Sequence, residues 1–141
     1  MDKLLIMIMA GYSNTSLNQK LGLNESSKIF LLNSPENYFE LVGENLKDQL
    51  AKKYEDATFI HFFAPSLKQL SNEFNKIIKV VDQDTIIWIS WYKKSSGFIS
   101  DVNENVIREI VLSTGWVDIK VCAFDEVWSG LKIVKRKALR K

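Results

Sequence analysis

The chain has 141 residues, of which 46% are hydrophobic and 26% are charged, and its formal net charge is +2. This length and composition fit one globular domain that can bury a core without staples. The single cysteine, Cys122, excludes an internal disulfide framework and any metal cluster built on cysteines, and it suits a reducing cytoplasm. No apolar run approaches the length that a membrane span needs.

Positive charge is concentrated at the C-terminus. Six of the 19 basic residues follow Leu131, which leaves 13 basic against 17 acidic residues, a charge of −4, in positions 1–130. Because proteins that bind nucleic acid usually spread basic charge over a face, nucleic acid is not an expected partner. The cluster is expected to be a solvated tail or the protection of an edge strand. The six residues are Lys132, Lys135, Arg136, Lys137, Arg140 and Lys141.

The N-terminal segment suggests a late start of translation. Leu4 to Ala10 resembles a short signal-peptide core, but Gly11-Tyr12-Ser13 is a poor cleavage context. Met9 is therefore a candidate start, with residues 1–8 as an upstream extension. The predicted organisation is a single domain over residues 9–135, followed by a basic tail over residues 136–141.

The first half of the chain predicts two short helices around a central strand, followed by a stretch with two interpretations. Between Glu44 and Asp56 the leucine spacing fits either a helix or a short edge strand over Leu46–Ala51. Proline at a first helical position and glycine after a last one are typical of helix ends. The predicted elements are a helix over Leu17–Leu21 capped by Asn14 or Thr15 and ended by Gly22, a strand over Lys28–Asn33, and a helix from Pro35 to Gly43.

The second half predicts two buried strands, two longer helices and a hairpin. The alternation of strands and helices predicts an α/β fold, a Rossmann-like three-layer sandwich whose mostly parallel sheet ends in a C-terminal antiparallel hairpin. The predicted elements are strands over Thr58–Phe63 and Thr85–Tyr92, a helix from Ser66 to Val81, a helix opened by a capping box from Asp101 to Glu104 and ended by Gly115, and hairpin strands Trp116–Phe124 and Val127–Val134.

The turn after the first strand argues against a standard nucleotide cofactor, and no cofactor is predicted. Dinucleotide and S-adenosylmethionine sites need glycines in that turn, and Asn33-Ser34-Pro35-Glu36-Asn37 has none. His61, the only histidine, lies in an apolar strand and is expected to be a hydrogen-bonded core residue. Cys122 is expected to be buried filler. Neither residue supports metal binding or nucleophilic catalysis.

Polar residues from two parts of the chain are predicted to meet at one edge of the sheet. The apolar strand ending at Trp91-Tyr92 releases two lysines and two serines at its carboxyl end, where open α/β sheets usually bind ligands. The hairpin turn would reach the same edge. We call this set the rim and predict that it binds a ligand. The rim comprises Trp91, Lys93, Lys94, Ser95, Ser96, Asp125, Trp128 and Ser129.

Two charged residues of the first hairpin strand are expected to have a structural role. Asp118 and Lys120 are two positions apart, so they should face the same side of a regular strand. They are expected to pair with each other or with solvent rather than to take part in chemistry.

Several stretches of the chain together form a familiar pattern. The stretches are Ala10-Gly11-Tyr12-Ser13, Lys20-Leu21-Gly22, Trp91-Tyr92-Lys93-Lys94-Ser95-Ser96-Gly97, Lys120-Val121-Cys122-Ala123 and Asp125-Glu126-Val127-Trp128-Ser129-Gly130-Leu131-Lys132. They resemble the bacterial family known as domain of unknown function 3052. The resemblance covers nearly the whole chain from about Met9, although that family commonly has proline where this chain has Tyr92. It implies no catalysed reaction, but it singles out the rim together with Tyr12, Ser13 and Gly22.

The layout is also similar to a shortened class I methyltransferase, in which parallel strands precede a terminal antiparallel hairpin. One strand–helix unit is missing or eroded around residues 44–56, and the glycine-rich cradle is absent. Three functions follow as hypotheses. The first, which we favour, is a non-catalytic binding or regulatory protein that holds a small anionic ligand or a partner's acidic segment at the rim. The others are a divergent methyltransferase-like enzyme and an interaction module that uses the basic tail.

Overall fold

The structure, a computed structural model, describes residues 16–141. The suggested extension over residues 1–8, the start at Met9, the motif residues Tyr12 and Ser13, and the cap at Asn14 or Thr15 all lie outside the described residues.

Five strands and four helices make up the described part of the chain, with short 3₁₀ turns between them. The strands are β1 (Ile29–Leu32), β2 (Phe59–Phe63), β3 (Ile86–Tyr92), β4 (Trp116–Ala123) and β5 (Trp128–Lys135); the helices are α1 (Leu17–Leu21), α2 (Tyr38–Val42), α3 (Leu67–Val80) and α4 (Glu104–Leu112); the 3₁₀ turns are Lys47–Gln49, Tyr54–Asp56, Lys94–Ser96 and Lys137–Leu139.

The five strands form one mixed sheet in the order β1-β2-β3-β5-β4. β1, β2 and β3 pair in parallel, and β5 pairs antiparallel with both β3 and β4. The α/β class is confirmed. The expectation of a mostly parallel sheet with a terminal hairpin is met only in part, because β5 inserts between β3 and β4. Two of the four pairings are therefore antiparallel, and the last strand is interior rather than at the edge.

Helices cover both faces of the sheet and bury two separate apolar cores. α3 and α4 pack on one face, and we call the core beneath them the α3/α4 core. α1 and α2 pack on the other face over what we call the α1/α2 core. Every residue of β2 is buried, as expected for a strand covered on both faces. Trp88 of β3 ties α1 to the sheet, because its Nε1 donates a hydrogen bond of 2.8 Å to the Leu21 carbonyl.

The ambiguous stretch after α2 forms neither a helix nor a full strand. It consists of two 3₁₀ turns. Between these turns, Leu50 forms a single parallel bridge with Ile29 at the outer edge of β1. The Ala51 amide donates a 2.7 Å hydrogen bond to the Ile29 carbonyl. A single bridge stands where a longer strand would extend the sheet, so β1 is the last full strand on this side.

The caps of the two long helices differ in how far the sequence predicted them. Ser66 caps α3 as expected, since its Oγ accepts a hydrogen bond from the Gln69 amide. The prediction of a capping box from Asp101 to Glu104 is wrong. Asn103 caps α4 instead, and the Asp101 carboxylate accepts a 2.7 Å hydrogen bond from the first amide of α3, at Leu67. Asp101 thus stabilises a helix that precedes it in the chain, which local sequence does not reveal.

A β-bulge separates Asp118 from Lys120, so the expectation that they face the same side is wrong. Asp118 pairs with Ile133 but Lys120 pairs with Lys132, the neighbouring residue on β5. The extra residue reverses the alternation of side chains. Asp118 therefore lies towards α4, where it forms a 2.8 Å ion pair with Arg108.

The basic tail is exposed but is tied back to the body. Gln83 bonds both the amide and the carbonyl of Lys141, and the Arg136 amide donates to the Gly115 carbonyl. These contacts place the tail at the amino end of β3, at the opposite edge of the sheet from the rim. A binding role for the tail stays a prediction.

Gly130 in β5 should be intolerant of a side chain. A methyl group there would lie 3.1 Å from Ser90 Oγ and 3.1 Å from a ring carbon of Trp88, both fully buried. We expect Gly130→Ala to lower the free energy of unfolding by about 1–3 kcal/mol, the usual result of overpacking. Urea unfolding measures this, with Ser129→Ala as the control on the same strand. Equal stability of Gly130→Ala and the native chain would contradict the close packing described here.

Candidate functional site

The structure brings together the two stretches from which the rim was predicted. Tyr92 pairs with Trp128 and Trp91 pairs with Ser129 in the β3–β5 ladder. Just beyond the ladder, the Lys93 amide donates a 2.8 Å hydrogen bond to the Val127 carbonyl. The lysine-containing turn and the hairpin turn are therefore neighbours at the carboxyl end of β3.

The two tryptophans of the rim lie on opposite faces of the sheet. Trp91 is only 9% exposed and packs in the α3/α4 core, whereas Trp128 packs against the α1/α2 core. Trp91, which was predicted to belong to the rim, is thus buried in the α3/α4 core instead of being exposed at the edge. Side chains alternate along a strand, so Trp128 shares a face with Tyr92, its direct partner, and not with Trp91. The two indoles do not enclose a common cavity.

Two of the predicted ligand-binding groups are occupied in holding the turns together. Asp125 Oδ1 accepts hydrogen bonds from the Val127 and Trp128 amides at 2.8 and 2.7 Å. Ser96 Oγ donates to the Lys93 carbonyl at 2.6 Å and accepts from the Phe98 amide at 3.2 Å. Ser96 Oγ and Asp125 Oδ1 thus shape the two turns of the rim.

The side chains of two lysines and two serines of the rim form no hydrogen bond with a described residue. Lys94 and Ser95 are exposed, Lys93 is half-buried, and Ser129 is half-buried opposite Trp91. Among residues 16–141, neither lysine of the rim forms a salt bridge. Their positive charge is therefore not neutralised by a described carboxylate.

Two apolar residues that the sequence did not single out protrude beside these lysines. Phe98 is 57% exposed and Ile99 is 100% exposed, and we call this pair the tip. Phe98 stacks on Tyr92 with ring centroids 4.8 Å apart, and Tyr92 stacks on Trp128 at 4.2 Å. The only sequence signal was an apolar pair directly after Gly97, in a stretch predicted to be a loop.

The segment after the tip is fixed to the body at several points. Ser100 Oγ donates to the Pro65 carbonyl at 3.2 Å and accepts from the Val102 amide at 3.1 Å. One residue further, Asp101 bonds the first amide of α3. With Ser96 bonded on the other side, the tip is held between two anchored segments and is preorganised as a protrusion.

The histidine forms a fully buried hydrogen-bond network. His61 Nδ1 lies 2.9 Å from Tyr38 Oη, and Nε2 lies 2.7 Å from Ser90 Oγ. Burial lowers the pKa of His61 to about 3 and raises the pKa of Tyr38. Because His61 and Ser90 are completely enclosed, a substrate has no access to this serine–histidine pair. The network is structural, in agreement with the sequence-based expectation for His61.

The crevice that a nucleotide would use in such a sheet is bridged by a side chain. After β1, the chain first forms the Leu50 bridge on the outer side of β1 and then forms β2 on the inner side. The direction of the connections therefore reverses between β1 and β2, and in such sheets ligands bind at the carboxyl ends of the two strands at this point. Asn33 follows β1 with φ of 58°, and its Nδ2 donates a 3.3 Å hydrogen bond to the Phe63 carbonyl of β2. Asparagine adopts this left-handed conformation where glycine is typical, and here its amide spans the crevice.

Surface depressions in the described structure lie away from the rim. One of about 480 Å³ is lined by residues 25–28 and 48–52 together with Asp56, beside the outer edge of β1. Another of about 490 Å³ borders α2 and residues 43–47. Neither of these two depressions contains a rim residue.

Two further features are absent from residues 16–141. They contain no helix whose length and apolarity would suffice to cross a membrane. They also contain no group of three or more histidine, cysteine, aspartate or glutamate side chains placed to hold a metal ion. Cys122, expected to be buried, is half-buried and lies beside the α1/α2 core.

Similarity to known proteins is limited to the fold. A mutant of MtNAS in complex with S-adenosylmethionine superposes with a TM-score of 0.55 at 12% identity, over 94% of this chain and 61% of that one. A protein of the NADB-Rossmann superfamily from Streptococcus agalactiae gives 0.50 at 8% identity, over 87% and 69%. LepI in complex with S-adenosylmethionine gives 0.50 at 11% identity, over 85% and 39%. These likenesses show a Rossmann-like α/β fold, and this chain spans less than two thirds of the MtNAS and LepI chains.

No protein-family model matches the chain, and no curated protein sequence matches it.

The buried histidine should make the protein acid-sensitive. The pKa of His61 is about 3 when folded and 6.5 ordinarily, so between these values the unfolded chain binds a proton that the folded chain does not. This contribution to stability is complete above pH 6.5 and is lost as the pH falls towards 3, by up to about 5 kcal/mol. We expect the difference in unfolding free energy between the native chain and His61→Gln to shrink by about 1.4 kcal/mol per pH unit in this window. Urea unfolding from pH 7 to pH 4 measures it, and a constant difference would contradict the assignment.

Proposed function

We propose that this protein is a non-catalytic interaction protein whose rim and tip dock an acidic segment of a protein partner. The observation that carries the proposal is the exposed tip, Phe98 and Ile99, held rigid beside Lys93 and Lys94. An apolar protrusion flanked by unneutralised cations is complementary to an apolar pocket bordered by carboxylates.

The energetics favour a macromolecular partner over a small anion. Transfer of the fully exposed Ile99 into an apolar pocket would contribute about 1.5–3 kcal/mol, and Phe98, which Tyr92 already covers in part, would contribute less. A small anion could contact only Lys93, Lys94 and Ser95, on a surface where salt and water weaken each contact. A segment of a protein partner can contact both the lysines and the apolar tip, so it can form more contacts with this surface than a small anion can.

No hydroxyl group of the rim bonds a histidine or a carboxylate among the described residues, and this supports a binding role. The described chain has its only histidine enclosed with Tyr38 and Ser90. The Asp125 carboxylate is held by two backbone amides. The groups that remain accessible at the rim, Lys93, Lys94 and Ser95, provide recognition by charge and hydrogen bonding.

Binding to synthetic peptides tests this proposal. We expect peptides that combine several carboxylates with one large apolar residue to bind, and peptides of the same length with lysines in place of the carboxylates to fail. Phe98→Ser/Ile99→Ser and Lys93→Glu/Lys94→Glu should each weaken binding about tenfold or more, because one removes the apolar anchor and the other reverses the charge. Fluorescence polarisation with labelled peptides measures the affinities.

The control is Lys52→Glu/Lys53→Glu, an exposed lysine pair outside the rim. It should bind the acidic peptides almost as well as the native chain, because it makes the same change in net charge elsewhere. If this control lost as much affinity as the rim variants, the loss would be caused by net charge alone, which would contradict docking at the rim. Unchanged affinity in both rim variants would do the same.

A methyltransferase-like transferase is the second candidate function. It is favoured by the fold-level likeness to MtNAS and LepI, each solved in complex with S-adenosylmethionine. Against it, the turn after β1 has no glycine, and Asn33 bridges to the Phe63 carbonyl at the crevice. We expect calorimetric titration with S-adenosylmethionine at millimolar concentration to give no heat of binding. A saturable heat that Asn33→Gly strengthens would support the transferase and contradict this expectation.

A further inference from the structure

Two lysines face each other across the hairpin without a described counter-charge. Lys120 of β4 and Lys132 of β5 are direct partners in the ladder. Like charges at directly opposite positions destabilise a sheet. Within residues 16–141, the salt bridges formed are those of Arg108 with Glu104 and Asp118, so no described carboxylate pairs with either lysine. The repulsion between the two ammonium groups lowers the stability of the hairpin.

Both lysines converge on the end of α1. Lys120 Nζ donates a 3.2 Å hydrogen bond to the carbonyl of Lys20, in the last turn of that helix. Lys132 Nζ reaches the next turn, where it would lie 3.7 Å from a side-chain carbon added at Gly22. Gly22 has φ of 86° and no side chain, so it leaves room for the ammonium group. The ammonium groups of Lys120 and Lys132 therefore both lie at the carboxyl end of α1.

Lys132 is the residue of this group whose charge is least compensated. It is half-buried, and burial followed by the charge of Lys120 lowers its pKa. Its ammonium carries three donors but makes no hydrogen bond to a described residue, whereas the Lys120 ammonium bonds the end of α1. A half-buried cation with unused donors next to a second cation creates a local positive potential that an anion would neutralise.

This cluster is separate from the rim. Lys132 pairs with Trp88 in the middle of β3, whereas the rim begins where Trp128 pairs with Tyr92. Four residues along a strand correspond to about 13 Å. The cluster also differs from the rim because it does not include the tip, Phe98 and Ile99.

We propose that Lys120 and Lys132 form a phosphate-binding site beside the carboxyl end of α1. A phosphate group carries up to two negative charges and offers several acceptor oxygens, which match the charges of Lys120 and Lys132. A phosphate group bound between the two ammonium groups would attract both lysines and would offset their mutual repulsion. The shared chemistry is a phosphate dianion, either the free ion or the terminal group of a phosphate monoester.

Thermal unfolding of the full chain in inorganic phosphate tests the site. At constant ionic strength set with chloride, we expect the melting temperature to rise saturably with phosphate. Lys132→Met should bind phosphate roughly tenfold or more weakly, the usual effect of losing one charge-assisted hydrogen bond. In chloride alone the same variant should be at least as stable as the native chain, because it removes the repulsion from Lys120.

Two controls separate this site from general basic charge and from the rim. Lys135→Met removes another half-buried lysine of β5 and should keep the phosphate response, as should Lys93→Glu/Lys94→Glu at the rim. Glycerol phosphate in place of inorganic phosphate distinguishes the sources: tighter binding identifies a monoester as the ligand class, and weaker binding identifies the free ion. No phosphate-specific rise in the native chain, or an undiminished rise in Lys132→Met, would overturn the proposal.

Discussion

The antiparallel pairing of β5 with β3 is the interaction on which the rest of this structure depends. It places the last strand in the interior of the sheet and makes β4 the edge. The pairing is close because Gly130 faces Ser90, and a methyl group on that glycine would contact both Ser90 and Trp88. Ser90 in turn completes the hydrogen bonds of His61, which continue to Tyr38 on α2. One glycine in the returning strand thus permits a buried polar network that links the centre of the sheet to the helical layer.

The same pairing determines what kind of site the rim is. Because Tyr92 is opposite Trp128, these two rings share a face and stack, while Trp91 points into the other core. Aromatic rings that could have enclosed a ligand are instead distributed between two faces of the sheet. The stack extends outwards to Phe98, so the aromatic surface ends in a protrusion rather than a cavity. Recognition at this edge is therefore expected to take place on a surface, with Lys93 at its border.

The described chain has a Rossmann-like sheet, and a side chain bridges the crevice at the carboxyl ends of β1 and β2. Asn33 takes a left-handed conformation after β1, where glycine would leave space, and bonds across to β2. The unit that would extend the sheet beyond β1 is reduced to a single bridge at Leu50. Positive charge without a described partner is found instead at the rim and at Lys132, beside the end of α1. The fold alone does not define the function, and these two cationic places carry the functional proposals.

The sequence by itself determined the order of the main strands and helices, because apolar runs and helix caps such as Ser66 are local signals. It also predicted that His61 would be a core residue and that the two turns of the rim would meet. The tertiary structure alone decided which groups face each other. A bulge reversed the side of Lys120 relative to Asp118, and cross-strand register sent Trp91 away from the rim. Strand register and β-bulges depend on contacts between segments that are distant in the chain, so they could not be predicted from the spacing of residues.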